Sequence, residues 1–197
     1  MERAGIGGVL RMDCRVGGIP YGGTPYLSEK WRKQFVHAVH ADPITWHDDE
    51  PAESAAMQII HALFSVPQIS RKLTELTEPH RRMLRQQLAF WREHRDVLLE
   101  GQLRSLQPQQ LYPLVVARND VKLLAAFYSA LPLTLAEEIP DQLILVNGSY
   151  KPDLVLYLSA PLGRVRVKVT TCTGEMVSDG KMALGAGLHK IAVPPTA

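Results

Sequence analysis

Cysteine is scarce in this chain. Cys14 and Cys172 lie far apart and form no CxxC pair, which excludes both a disulfide framework and a zinc-finger motif and leaves two free thiols. Aromatic residues make up only 7% of the sequence. The formal net charge is +2, too small an excess to argue for nucleic acid or an anionic membrane as partner. No apolar run approaches the roughly 20 residues of a membrane span, and MERAGIGGVL lacks the apolar core of a signal peptide. These absences predict a cytoplasmic protein that binds no nucleic acid and no membrane. What the chain does have is 46% apolar content over 197 residues, enough to build one large or two small cores.

The stretch Ala41–Ser70 organises the rest. Pro43, Ile44, Thr45 and Trp46 form a short apolar run that ends in three consecutive carboxylates, Asp48, Asp49 and Glu50. Pro51 opens a segment with helical spacing at Ala55, Ile59 and Leu63, and Pro67 is expected to close it. Strand, acidic loop and helix in that order place the carboxylates at the functional end of a βα unit. A second reading stays open, in which carboxylates just before a helix cap its free N–H groups.

Upstream, Gly7–Arg15 reads as a buried strand followed by the turn-rich GGIPYGGTPY, where Tyr21 and Tyr26 either stack on a sugar or cover the loop. Ser28 then caps a helix through about His40. His37, His40 and His47 stand near Asp48 and Asp49, but their spacing matches no metal motif, and neither metal nor cofactor is expected. Downstream, Glu78–Leu99 reads as a long amphipathic helix stopped by Gly101. Beyond it the segments near 111–118, 121–129, 142–147, 153–159, 163–172 and 187–193 are short and strand-like, separated by turns such as Asn147-Gly148. The expected organisation is therefore α/β over residues 1–101 and an antiparallel β-sandwich over residues 102–197.

Trp46-His47-Asp48-Asp49-Glu50 resembles the W-N-D-P-D motif of the α-galactosidase (melibiase) clan of retaining glycoside hydrolases. PHRRMLRQQLAFWREHRDVLLEGQLRSL is similar to the clan's last barrel helix and the passage into its sandwich, and GLHKIAVPP to its closing strand. The resemblance implies the last units of a TIM-type (β/α) barrel followed by a β-sandwich, with a carbohydrate as substrate. It gives Trp46 the role of a wall, and Arg15, Asp48 and Glu50 the role of substrate contacts. Asp49 stands where the clan has proline. Ile19 stands where the clan carries its acid/base carboxylate; on the resemblance either Asp13 or a member of the 48–50 cluster replaces it, with Asp13 and Asp49 as the expected catalytic pair, or the acid is lost or the segment aligns differently.

Retaining hydrolysis needs two carboxyl groups about 5–5.5 Å apart across the anomeric carbon, one nucleophilic and one protonated. Sequence neighbours rarely aim at opposite faces of one sugar, so Asp13 would have to face the 48–50 cluster. A TIM barrel takes about 250 residues, and only about 100 precede the expected sandwich. The resemblance therefore implies a C-terminal fragment of a hydrolase, inactive alone, whose partner is the missing barrel half or a second copy. The alternative is a non-catalytic module that uses Tyr112, Tyr128, Tyr150 or Tyr157 to bind carbohydrate or a partner.

Overall fold

A strand, not the end of a helix, leads into the acidic stretch. The computed structural model describes residues 10–13, 39–130, 132–135 and 138–192. Within it Val39–Ile44 (β2) is the middle strand of a parallel sheet, flanked by Leu10–Asp13 (β1) and Val66–Ile69 (β3). The helix expected through about His40 does not include Val39 or His40, where pairing on both sides holds the chain extended. The rest of that segment, like the glycine-rich connection, lies outside the described residues.

Helix α1 spans Ala52–His61, shorter than the spacing predicted. After it, Ser65 Oγ donates to the Ala62 carbonyl at 2.6 Å and the chain turns into β3. Pro67 therefore sits inside a strand instead of closing a helix. That is tolerable because, among the described residues, β3 is an edge strand, where a proline is accommodated. A short 3-10 turn (Leu73–Glu75) precedes helix α2 (Glu78–Glu93), and a π-helical turn (Asp96–Glu100) ends the helical part.

The expected barrel portion is not what forms. After α2 the next strand, β4 (Gln102–Leu106), does not return to the parallel sheet but pairs antiparallel with β5 (Leu114–Arg118). Among the described residues the parallel sheet has three strands in the order β1-β2-β3, and the other nine strands belong to three further sheets. The described chain is mostly β, and residues 1–101 are not the end of a (β/α) barrel.

The remaining strands are β6 (Lys122–Phe127), β7 (Leu133–Leu135), β8 (Gln142–Asn147), β9 (Asp153–Leu158), β10 (Gly163–Thr170), β11 (Met176–Leu184) and β12 (Gly187–Ala192). They form sheets ordered β4-β5-β6-β8 and β12-β9-β7, plus the hairpin β10-β11. The expected all-antiparallel pairing needs correction too, because β6–β8 and β7–β9 pair parallel.

Three apolar clusters hold these parts together. One joins Leu114, Val116, Leu123, Ala125 and Phe127 of the four-stranded sheet to Leu135, Leu154, Leu156, Leu158 and Ile191 of the three-stranded sheet. A second packs Leu63, Phe64, Val97 and Leu98 against Val115, Ala117, Leu124 and Ala126 on the other face of the four-stranded sheet. The third gathers Ala41, Ile44 and Trp46 around α1 and α2. Among the described residues no helix is long and apolar enough to cross a membrane.

Candidate binding cleft

The carboxylates of the 48–50 turn do follow the C-terminal end of a parallel strand, yet they do not converge. Glu50 is folded back on its own turn, where one carboxylate oxygen accepts the His47 N–H at 3.1 Å. Asp48 is exposed and ion-paired with Arg71, just beyond the end of β3. Asp49 is exposed. None of the three caps α1, whose first residue follows Pro51 without a side-chain hydrogen bond. Asp13 ends β1 in register with Asp42 of β2, and Arg15 lies outside the described residues.

Trp46 departs furthest from its expected role as a substrate wall. Its side chain is only 4% exposed and sits in the core with α1 and α2. Its ring meets His80 edge-on at 5.9 Å, and His80 Nε2–H donates to the Glu50 carbonyl at 2.8 Å. The tryptophan therefore anchors the acidic turn from beneath and offers no face to a ligand. Among the described residues no group of three or more His, Cys, Asp or Glu is placed to hold a metal ion.

A concavity does exist, on a different side. A cleft of about 330 Å³ opens between α1 and α2 on one wall and the ends of β8 and β10 on the other. Its helical wall presents Glu53, Ser54, Met57, Gln86, Gln87 and Phe90. Its β wall presents Asn147, Ser149, Tyr150, Lys151, Thr171 and Cys172. The volume lies at the small end of the ~300–1,000 Å³ typical of ligand sites.

The walls are fixed by hydrogen bonds. Gln87 Nε2–H donates to the Cys172 carbonyl at 3.1 Å, tying α2 to the turn after β10. Tyr128 O–H donates to the Ile60 carbonyl at 3.0 Å, tying β6 to the end of α1. Gly148 lets these parts close up, since a Cβ there would lie 2.8 Å from the Tyr128 ring and 3.0 Å from Ile60. The 147–151 turn is knitted from within. The Ser149 N–H and Oγ–H donate to Asn147 Oδ1 at 3.0 and 2.8 Å, and Asn147 Nδ2–H donates to the Lys151 carbonyl at 2.7 Å. At the mouth stands Tyr150, 85% exposed.

Two titratable groups of this lining, Cys172 and Glu53, bear on its electrostatics. Burial, reinforced by the negative charge of Glu53, pushes the Cys172 thiol up to about 11, so it stays protonated at neutral pH and is a poor nucleophile. Glu53 is the one carboxylate in the lining and has no opposed partner there for acid–base work. Gln87, Asn147 and Ser149 spend hydrogen bonds on the walls, so Ser54, Gln86, Lys151 and Glu53 are the polar groups that line the cleft beside them, and Met57, Ile60, Phe90, Leu145 and Val146 supply apolar contact.

Sequence reasoning named Tyr150 but not its neighbours in the cleft. Gln86 and Gln87 belong to the polar face of an amphipathic helix, and Cys172 has no local signal beyond being a free thiol. The turn signal at Asn147-Gly148 was the visible clue, because it marks the segment that frames the β wall.

Fold and cleft together define a mostly β protein carrying a small parallel α/β layer, with a cleft of mixed, largely apolar lining at the junction. No protein-family model, no curated protein and no solved structure matches the chain.

Proposed function

We propose that this protein is a non-catalytic binding module that takes a small carbohydrate in the cleft between the helices and the β wall. The observation that carries this is the lining itself: a single carboxylate, one ammonium and a few hydroxyl and amide groups are set among apolar and aromatic side chains in one cleft. Sugar hydroxyls donate and accept at once, so paired amides and hydroxyls suit them, and an ionised Glu53 is a strong acceptor for a hydroxyl. Tyr150 stands where a ring can cover the apolar face of a sugar. Hydrolysis has less support, since Asp48 and Glu50 are engaged with Arg71 and His47 and Trp46 is buried.

Isothermal titration of the intact chain with mono- and disaccharides, galactose among them, tests this. Binding should be detectable in the millimolar range or tighter. It should weaken on the order of tenfold in Tyr150→Ala and in Glu53→Gln, as expected for loss of one stacking or charge-assisted contact. Tyr150→Ala should leave the melting temperature unchanged because the ring is exposed. Absence of saccharide binding, or binding indifferent to both changes, would overturn the proposal. An aryl α-galactoside added to the same protein should stay intact, and its hydrolysis would favour the glycosidase resemblance instead.

A further inference from the structure

Among the described residues the hairpin β10-β11 pairs with no other strand, so the outer edge of β10 carries backbone groups without a strand partner there. Isolated hairpins are marginal in water. This one is anchored along one face, where Val169 and Leu184 are buried and Val165 packs on the core. The register sets Arg164 opposite Ala183, Arg166 opposite Lys181 and Lys168 opposite Asp179, so these side chains share the other face. That face carries four cations and one carboxylate. Asp179 is held by Arg166 in a two-pronged ion pair at 2.7 and 2.8 Å. Arg164, Lys168 and Lys181 have no ion pair of their own among the described residues.

We propose that the outer edge of β10 accepts an extended acidic strand from a partner protein, with carboxylates at alternate positions and apolar side chains between them. An added strand repeats at the same spacing, about 6.6–6.8 Å between alternate residues. Its carboxylates then stand beside Arg164, Arg166 and Lys168, while its apolar residues extend the row Val165, Val167 and Val169. Backbone pairing supplies affinity and the alternation supplies selectivity.

The same features disfavour other occupants. A nucleic acid would use the cations but leave the backbone edge and the valine row unused. A second copy pairing antiparallel about Arg166 would set Arg164 against Lys168 of the other copy, and like charges directly opposite repel. Such edge charges keep copies apart while leaving the edge open to an acidic strand.

Fluorescence anisotropy with the full chain and a labelled octapeptide of alternating glutamate and valine tests this. The alternating peptide should saturate. A peptide of the same composition with glutamates and valines in separate blocks should bind on the order of tenfold more weakly, since it keeps the charge and loses the register. Of two versions methylated on alternate backbone nitrogens, one set or the other, a single one should lose binding. The double change Arg164→Glu, Lys168→Glu should also cost on the order of tenfold. Both positions are exposed, so circular dichroism should be unchanged. Four results would overturn the proposal: no binding, equal binding of the blocked peptide, indifference to both methylated versions, or tighter binding of an oligothymidylate. Concentration-dependent self-association of the free protein that the charge reversal alters would assign the edge to a second copy and overturn it as well.

Discussion

His61 shows how one side chain couples the two walls of the cleft. It ends α1, its ring lies 5.3 Å from that of Tyr128, and it hydrogen-bonds the backbone of Gly148. Burial pushes its pKa from the ordinary 6.5 to about 4. The unfolded chain takes up this proton as pH falls through about 6.5, whereas the folded chain resists until about 4. Between those values the unfolded state binds more protons, so stability falls as pH falls and levels off below the window. Urea unfolding at pH 7 and pH 5 should show His61→Gln losing less stability on acidification than the parent, by on the order of 2 kcal/mol. Some slope should remain, because burial also lowers the pKa of His94. Identical pH dependence in parent and variant would contradict this account. Nothing near His61 in sequence signals its role, because Tyr128 and Gly148 reach it only through the fold. The acidic turn is the opposite case. Its position after a strand was legible from Pro43 to Glu50, but the direction of each carboxylate depended on Arg71 and on the folding back of Glu50. Trp46 likewise read as a wall of the site and proved to be core, because its apolar surface is worth more against α1 and α2 than against water.

At the scale of elements, Gly101 marks where the helical part turns into β4. A stop at this glycine was readable, but not for the usual reason of a left-handed cap, since its φ is −66°. It is needed for close approach: a Cβ there would lie 2.4 Å from the Val97 carbonyl oxygen and 2.9 Å from that of Arg118. Both are backbone atoms and cannot swing aside. Gly101→Ala should therefore cost roughly 1–3 kcal/mol, whereas Gly180→Ala, with open space around it, should stay within about 0.5 kcal/mol. Thermal melts of the two variants side by side check the difference, and equal losses would show that crowding is not the cause. Beside the short β4 and β7, two strands escaped sequence reading for a shared physical reason. β3 is four residues with a proline, and β11 (MVSDGKMAL) has little β propensity and a central Asp-Gly. Each is extended because a neighbouring strand supplies its ladder, β2 for one and β10 for the other. β10 was legible because Arg164 to Val169 alternate strictly, which marks a strand with one wet face.

For the whole molecule, the decisive feature is that the four-stranded sheet is covered on both faces. In β5, Leu114 and Val116 point into the core shared with β9, while Val115 and Ala117 point into the core shared with Leu63, Phe64, Val97 and Leu98. β6 divides the same way, Leu123, Ala125 and Phe127 to one side and Leu124 and Ala126 to the other. The continuous apolar runs LVVA and LLAAF carry this information, since a strand buried on both faces cannot alternate. A division near residues 102–110 follows the change from helix to strand, yet one of the three cores crosses it. Residues 102–197 expressed alone would bare Val115, Ala117, Leu124 and Ala126, an apolar face that the helical part otherwise covers. The full chain should therefore melt in one cooperative transition, and the 102–197 fragment should aggregate or melt without cooperativity when followed by circular dichroism and gel filtration. A monomeric fragment melting at the temperature of the whole chain would show that the four-stranded sheet stands without its helical cover, and that the cleft wall it carries is independent of α1 and α2.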